Sequence, residues 1–131
     1  MIVDTSAVVA ILRGEPDPDH HLEAPAGVAE PRMSAATYLE TAVVVDANRD
    51  AVLSGRFDDL VRAVPLGIEP VTAQQAELGR RVYQLFGRGG RHPAAVNFGD
   101  FFAYALARAT GEPLLFKGDD FARTDVTPPC R

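Results

Sequence analysis

A second cysteine, a zinc-like spacing of histidines, a membrane-length apolar run and an excess of positive charge are all missing from this 131-residue chain. Cys130 alone cannot form an internal disulfide, which leaves a reducing compartment, the cytoplasm, as the default. Met1 leads straight into a strand-like segment without a basic leader or cleavage site, and no apolar stretch reaches the roughly 18 residues that span a bilayer. The expectation is therefore a soluble chain without an export signal. His20 and His21 are neighbours in an acidic loop and His92 lies in another, so they read as solvated rather than as zinc ligands. There is no Gly-x-Ser-x-Gly elbow, and Cys130 at the chain end has no fixed frame, which removes serine and cysteine hydrolase chemistry.

Other absences narrow the field further. Gly87-Arg88-Gly89-Gly90 follows a helix and lacks the Lys-Ser/Thr ending of a phosphate loop, so it reads as a flexible loop. A haloacid-dehalogenase-like phosphatase needs a second Asp two positions after Asp4, where this chain has Ser6. A receiver domain needs an acceptor Asp after a middle strand, where this chain has Val71-Thr72. No internal repeat, linker or low-complexity segment divides the sequence. With 47% hydrophobic residues it carries enough apolar surface for one core, and residues 1–131 are read as a single domain.

Strand and helix signals alternate as in a parallel α/β sheet. Met1 to Asp4 reads as a buried strand, and Thr5 or Ser6 can cap a helix that runs through Leu12 to Gly14. A Pro-rich stretch from Glu15 to Pro31 holds a short helix near His21 to Ala24. A brief strand at Arg32 to Ser34 precedes a helix over 35–48, in which Thr37 and Glu40 have capping-box spacing. A further amphipathic helix spans Val52 to Val64. Gly67 to Val71 reads as a strand that Pro70 assigns to the sheet edge. Thr72 starts a helix through Phe86, Phe101 to Ala109 reads as a buried helix stopped by Gly111, and Leu114 to Phe116 is the clearest buried strand.

The acids Asp4, Glu40, Asp100 and Asp119 fall at strand ends or helix starts in this reading. In an open α/β sheet such positions converge at the carboxyl ends of the strands. Four carboxylates drawn together raise one another's pKa unless a cation neutralises them, and hard oxygen donors suit magnesium or manganese. Such an ion eases deprotonation of water for attack on a phosphodiester, so no protein nucleophile is needed. Glu40 also reads as a mere helix cap. Thr5 and Ser6 read equally as caps or as partners of Asp4, and Lys117 as a phosphate contact or a snorkelling lysine. The net charge of −5 speaks against nucleic acid, yet most of that imbalance resides in the four proposed ligands. Arg80, Arg81, Arg88 and Arg91 form the one markedly basic stretch, either a solvated helix end or a phosphate-contacting rim.

Met1-Ile2-Val3-Asp4-Thr5-Ser6-Ala7, Glu40 within a helix, Asn97-Phe98-Gly99-Asp100 and Leu114 to Phe121 occur in order across nearly the whole chain. Together they resemble a PIN-domain ribonuclease of the VapC toxin type. The resemblance implies a three-layer α/β/α fold with a central parallel sheet. It further implies a cytoplasmic toxin that cleaves RNA with magnesium or manganese, is silenced by a small VapB-like antitoxin and pairs as a homodimer. By the family pattern the metal ligands and catalytic acids are Asp4, Glu40, Asp100 and an acid of the last turn, taken as Asp119 with Asp120 as the neighbouring choice. The alternative is a PIN-like module that binds protein or RNA without chemistry.

Overall fold

The structure, a computed structural model, describes residues 1–15, 30–86, 98–118, 121, 124 and 125. The helix expected near His21 to Ala24, the loop from Gly87 to Asn97 with Arg88, Arg91 and His92, and His20, Asp119, Asp120 and Cys130 lie outside the described residues. Among the described residues nine elements follow in the order β1 (Ile2–Val3), α1 (Thr5–Leu12), β2 (Arg32–Ser34), α2 (Ala35–Asp46), α3 (Ala51–Ala63), β3 (Gly67–Glu69), α4 (Ala73–Phe86), α5 (Phe98–Thr110) and β4 (Leu114–Leu115). The strands form one parallel sheet in the order β3-β2-β1-β4, the α/β architecture expected from the alternating pattern.

Alternation of side chains along these short strands builds two cores, because successive residues point to opposite faces. Val3, Met33 and Leu115 face one way and pack with Ala7, Val8, Val45 and Phe57 from α1, α2 and α3. Ile2 and Leu114 face the other way and pack with Val82 of α4 and with Ala103, Tyr104, Leu106 and Ala107 of α5. β1 and β4 are buried on both faces, so they read as continuous apolar runs rather than as alternating ones. β3 is an edge strand, as Pro70 foretold, and it leaves Ile68 42% exposed.

Register brings the chain's distant parts together. Ile2 pairs with both Arg32 and Leu114, and Val3 with Leu115. The Asp4 N–H donates to the Leu115 carbonyl at 3.0 Å, so the end of β1 is fixed against the end of β4. From the start of β2 Arg32 reaches Glu112 at 2.9 Å and, at the last residue of β3, Glu69 at 3.3 Å, while the Met1 amino group lies 3.7 Å from Glu112. These partly exposed pairs contribute at most about 1 kcal/mol each, and their value is in clipping three strands and the β4 approach to one register.

Helix starts differ from the sequence reading at α1 and α5, whereas α2 starts at Ala35 as expected, with Ser34 rather than Thr37 as its cap. Asp4 itself caps α1, its side chain accepting from the Ser6 N–H, because a carboxylate at the N-cap reaches an orphan amide that Thr5 inside the helix cannot. Ser34 caps α2 through the Ala36 N–H, which places Thr37 inside the helix and removes the capping box with Glu40. α5 starts at Phe98, so Asp100 lies in its first turn. Thr72 caps α4 as expected, accepting from the Gln75 N–H at 3.2 Å. Among the described residues no helix is long and apolar enough to cross a membrane.

Burial separates leucines that composition treats alike. Leu115 is 1% exposed on β4 and Leu85 62% exposed on α4. Leu115→Ala is expected to cost about 3 kcal/mol in urea unfolding, whereas Leu85→Ala should stay within about 0.5 kcal/mol of the parent. Equal losses would contradict this packing.

Candidate active site

The end of β1 supplies a charged group that the fold buries. Asp4 is 4% exposed, and a carboxylate so placed needs donors. Ser6 provides two: its N–H donates to Asp4 Oδ2 at 2.9 Å and its hydroxyl to the same oxygen at 2.6 Å. The Ser6 Oγ in turn accepts from the Lys117 N–H at 3.0 Å, just beyond β4. One serine therefore joins the acid at the end of β1 to the exit of β4, 111 residues later.

Helix α2 brings the second acid. Thr37 and Thr41, four residues apart, face inward with no measurable exposure. The Thr41 hydroxyl donates to the Thr37 carbonyl at 2.8 Å and stands 2.9 Å from the Thr5 hydroxyl, which seals α2 against α1. Glu40 lies between these threonines in sequence and is half-buried. Its carboxyl pKa is raised, first by burial and then by the negative charge of Asp4, while a hydrogen bond from Thr5 acts in the opposite sense. The third acid, Asp100, is 7% exposed in the first turn of α5, where the helix end favours negative charge.

Asp4, Glu40 and Asp100 line one cleft of about 480 Å³. The geometry thus brings three of the four predicted site residues to one opening, and the fourth, Asp119, lies outside the described residues. Its described neighbours in sequence, Gly118 and Phe121, both line the cleft, with Phe121 buried and its ring 5.3 Å from that of Phe116. Among the described residues no three Asp, Glu, His or Cys side chains are close enough together to form a ready coordination group, so the convergence read from sequence is a shared cleft rather than a finished cage. The donor set still suits a hard cation. It consists of carboxylate oxygens, two of the acids are buried, and the Glu40 carboxyl pKa is raised by its own burial and then by the negative charge of Asp4.

Sequence reasoning missed several contributors. Arg13 and Glu15, just past α1, line the same cleft, and Glu15 pairs with Lys117, the lysine read as a phosphate contact. Thr41 had a signal in its spacing from Thr37, but the partner of that pair on α1 was visible only in three dimensions. Arg80 and Arg81 of the basic stretch are exposed on α4.

The PIN domain family model matches residues 1–126. Ribonuclease VapC28 of Mycobacterium tuberculosis is 51% identical over 126 residues, covering 96% of this chain and 95% of that protein. Ribonuclease VapC42 of the same organism is 44% identical over 130 residues, covering 99% of each. Among solved structures, the sarcin-ricin loop cleaving toxin VapC20 of Mycobacterium tuberculosis matches with a TM-score of 0.69 at 17% identity, across 99% of this chain and 98% of that one. A toxin-antitoxin complex from Klebsiella pneumoniae matches with a TM-score of 0.65 at 18% identity, across 98% and 97%. These structural likenesses, at such identities, speak for the fold; the sequence relatives speak for the family.

The Ser6 bridge makes a measurable claim about stability. Ser6→Ala keeps the backbone cap but deprives Asp4 of its hydroxyl donor and the Lys117 N–H of its acceptor. A loss of about 1.5 kcal/mol in denaturant unfolding is expected, the usual cost of a hydrogen bond to a charged group. A change under about 0.3 kcal/mol would show that the bridge does not hold the two strand ends.

Proposed function

The chain belongs to the PIN domain family, and on that premise we propose that it is the toxin of a toxin–antitoxin pair, a metal-dependent endoribonuclease acting at the cleft of Asp4, Glu40 and Asp100. The observation that carries this reading is the placement of acids from β1, α2 and α5 on one cleft, two of them buried, in a chain whose relatives are named ribonucleases. A module that only binds has no use for buried carboxylates at a sheet end, since each costs desolvation.

Asp4 and Asp100 hold a divalent cation, magnesium or manganese, and Glu40 and Asp119 complete its surroundings or orient water. When bound, the cation supplies Lewis acidity: it eases deprotonation of water and offsets the charge that builds on the phosphodiester. The protein's own part is positional. Ser6 holds one Asp4 oxygen, Oδ2, in a fixed place at the cleft through two hydrogen bonds. The raised Glu40 carboxyl favours either a neighbouring cation or a proton, so it suits a place beside the acting water. Arg13 and Lys117 set positive charge on the cleft wall, where an RNA phosphate can be held. The partner is a VapB-like antitoxin whose cationic segment enters the acidic cleft, and the toxin acts in the cytoplasm as a homodimer, each copy a single domain.

Asp4→Asn and Asp100→Asn are expected to lower magnesium-dependent RNA cleavage by about 100-fold or more, beyond the usual effect of residues that only support metal ligands. Asn caps a helix as well as Asp, so the thermal transition of Asp4→Asn should survive. Parental cleavage by either variant would sink the assignment. For the last turn, Asp119→Ala should lose far more activity than Asp120→Ala in the same assay; the opposite ranking moves the fourth acid to Asp120.

A further inference from the structure

Gly99 is a glycine that its own backbone does not require. The glycines with positive φ among the described residues are Gly14, Gly111 and Gly118, and around each of them there is open space for a side chain. Gly99 is not among them; it is the second residue of α5, in ordinary helical conformation, where glycine is among the poorest choices by intrinsic propensity. What it lacks is room. A Cβ at position 99 would stand 2.1 Å from Glu40 Oε2, 2.6 Å from Glu40 Cδ and 2.7 Å from Glu40 Oε1. At Gly79, where α4 meets α5, the nearest atom would be an ordinary 3.6 Å away.

We propose that Gly99 is a positioning residue for the site: the missing side chain is the seat of the Glu40 carboxylate, which lies against the first turn of α5 in the space a methyl group would fill. All three close atoms belong to the carboxyl group itself, not to backbone or to the α2 stem. A methyl group therefore does not push the helices apart. It displaces the flexible end of Glu40, and that end is the group that faces Asp4 and lines the cleft with Asp100. The residue next to Asp100 thus sets the place of an acid 59 positions earlier in the chain, so the α5 start delivers one carboxylate and seats another. This inference rests on the reading of Glu40 as a site carboxylate.

The test uses the full chain as the parent, Gly99→Ala, Glu40→Gln and the double variant, read by calorimetric titration with manganese alone and by RNA cleavage. Gly99→Ala should lower manganese affinity and cleavage by about 10-fold, the scale of a misplaced supporting group, with the thermal midpoint kept. It should add nothing to the loss already made by Glu40→Gln, because both act through the same carboxylate. Parental manganese affinity in Gly99→Ala, or an equal further loss in the Glu40→Gln background, overturns the proposal while leaving the site reading standing. Should Glu40→Gln itself bind and cleave as the parent does, the reading of Glu40 fails and the proposal with it. If the midpoint of Gly99→Ala falls, Glu40→Ala in that background removes the obstacle and should restore it; a midpoint that stays low places the strain elsewhere and overturns the proposal.

Discussion

Burying a carboxylate at the end of a sheet is the constraint on which the rest of this structure depends. Asp4 is held almost out of solvent at the exit of β1, and only donors fixed in advance make that tolerable. Ser6 is such a donor because α1 begins one residue after the acid, which turns the Ser6 N–H and hydroxyl back on the same oxygen. That geometry needs β4 alongside, since Lys117 completes the serine's bonding and Leu115 takes the Asp4 N–H. Secondary structure, sheet order and site are consequently one problem. A slip of β4 by one residue would exchange the two cores and separate Ser6 from its partner.

The two ends of the sheet solve opposite electrostatic problems. At the end where the strands start, Arg32, Glu112 and the Met1 amino group bring opposite charges together, and Arg32 also reaches along β3 to Glu69. At the end where they finish, Asp4, Glu40 and Asp100 line one cleft, and the Glu40 pKa is raised there by burial first and by the Asp4 charge second. Opposite charges meet at one end and acids gather at the other. This is the usual division in an open α/β sheet, where the strand carboxyl ends carry the chemistry.

Most of the fold was legible because buried parallel strands write themselves as short apolar runs bounded by turn residues. Ile2–Val3 and Leu114–Leu115 were found that way, Arg32–Ser34 by its place before the next helix, and Pro70 marked the edge strand. Helix starts were less legible. Asp4 was taken as a ligand and Thr5 or Ser6 as the cap, when one carboxylate oxygen serves as the cap and the acid still lines the cleft. Thr37 looked like a cap because Glu40 follows it by three, but Ser34 is nearer the turn out of β2 and takes that role first. Of the site, the acids were legible as residue types at element ends. The contacts between them were not, because Thr5 with Thr41, Lys117 with Glu15 and Gly99 with Glu40 are set by packing between elements far apart in sequence.

An acidic chain that handles a polyanion needs its charge arranged rather than reversed. The net charge of −5 acts over distances that salt largely screens, whereas cations on the wall of the cleft act at contact. Arg13 and Lys117 occupy that wall beside the acids, and the exposed Arg80 and Arg81 lie on a separate helix, α4. Lys117 is paired with Glu15, so an incoming phosphate competes with a carboxylate that the protein already supplies. That exchange replaces one anion by another at the same ammonium. The cleft therefore combines acids suited to a cation with basic groups whose partners can be displaced, and this local pattern, rather than the overall balance, fits the chain to a phosphodiester substrate.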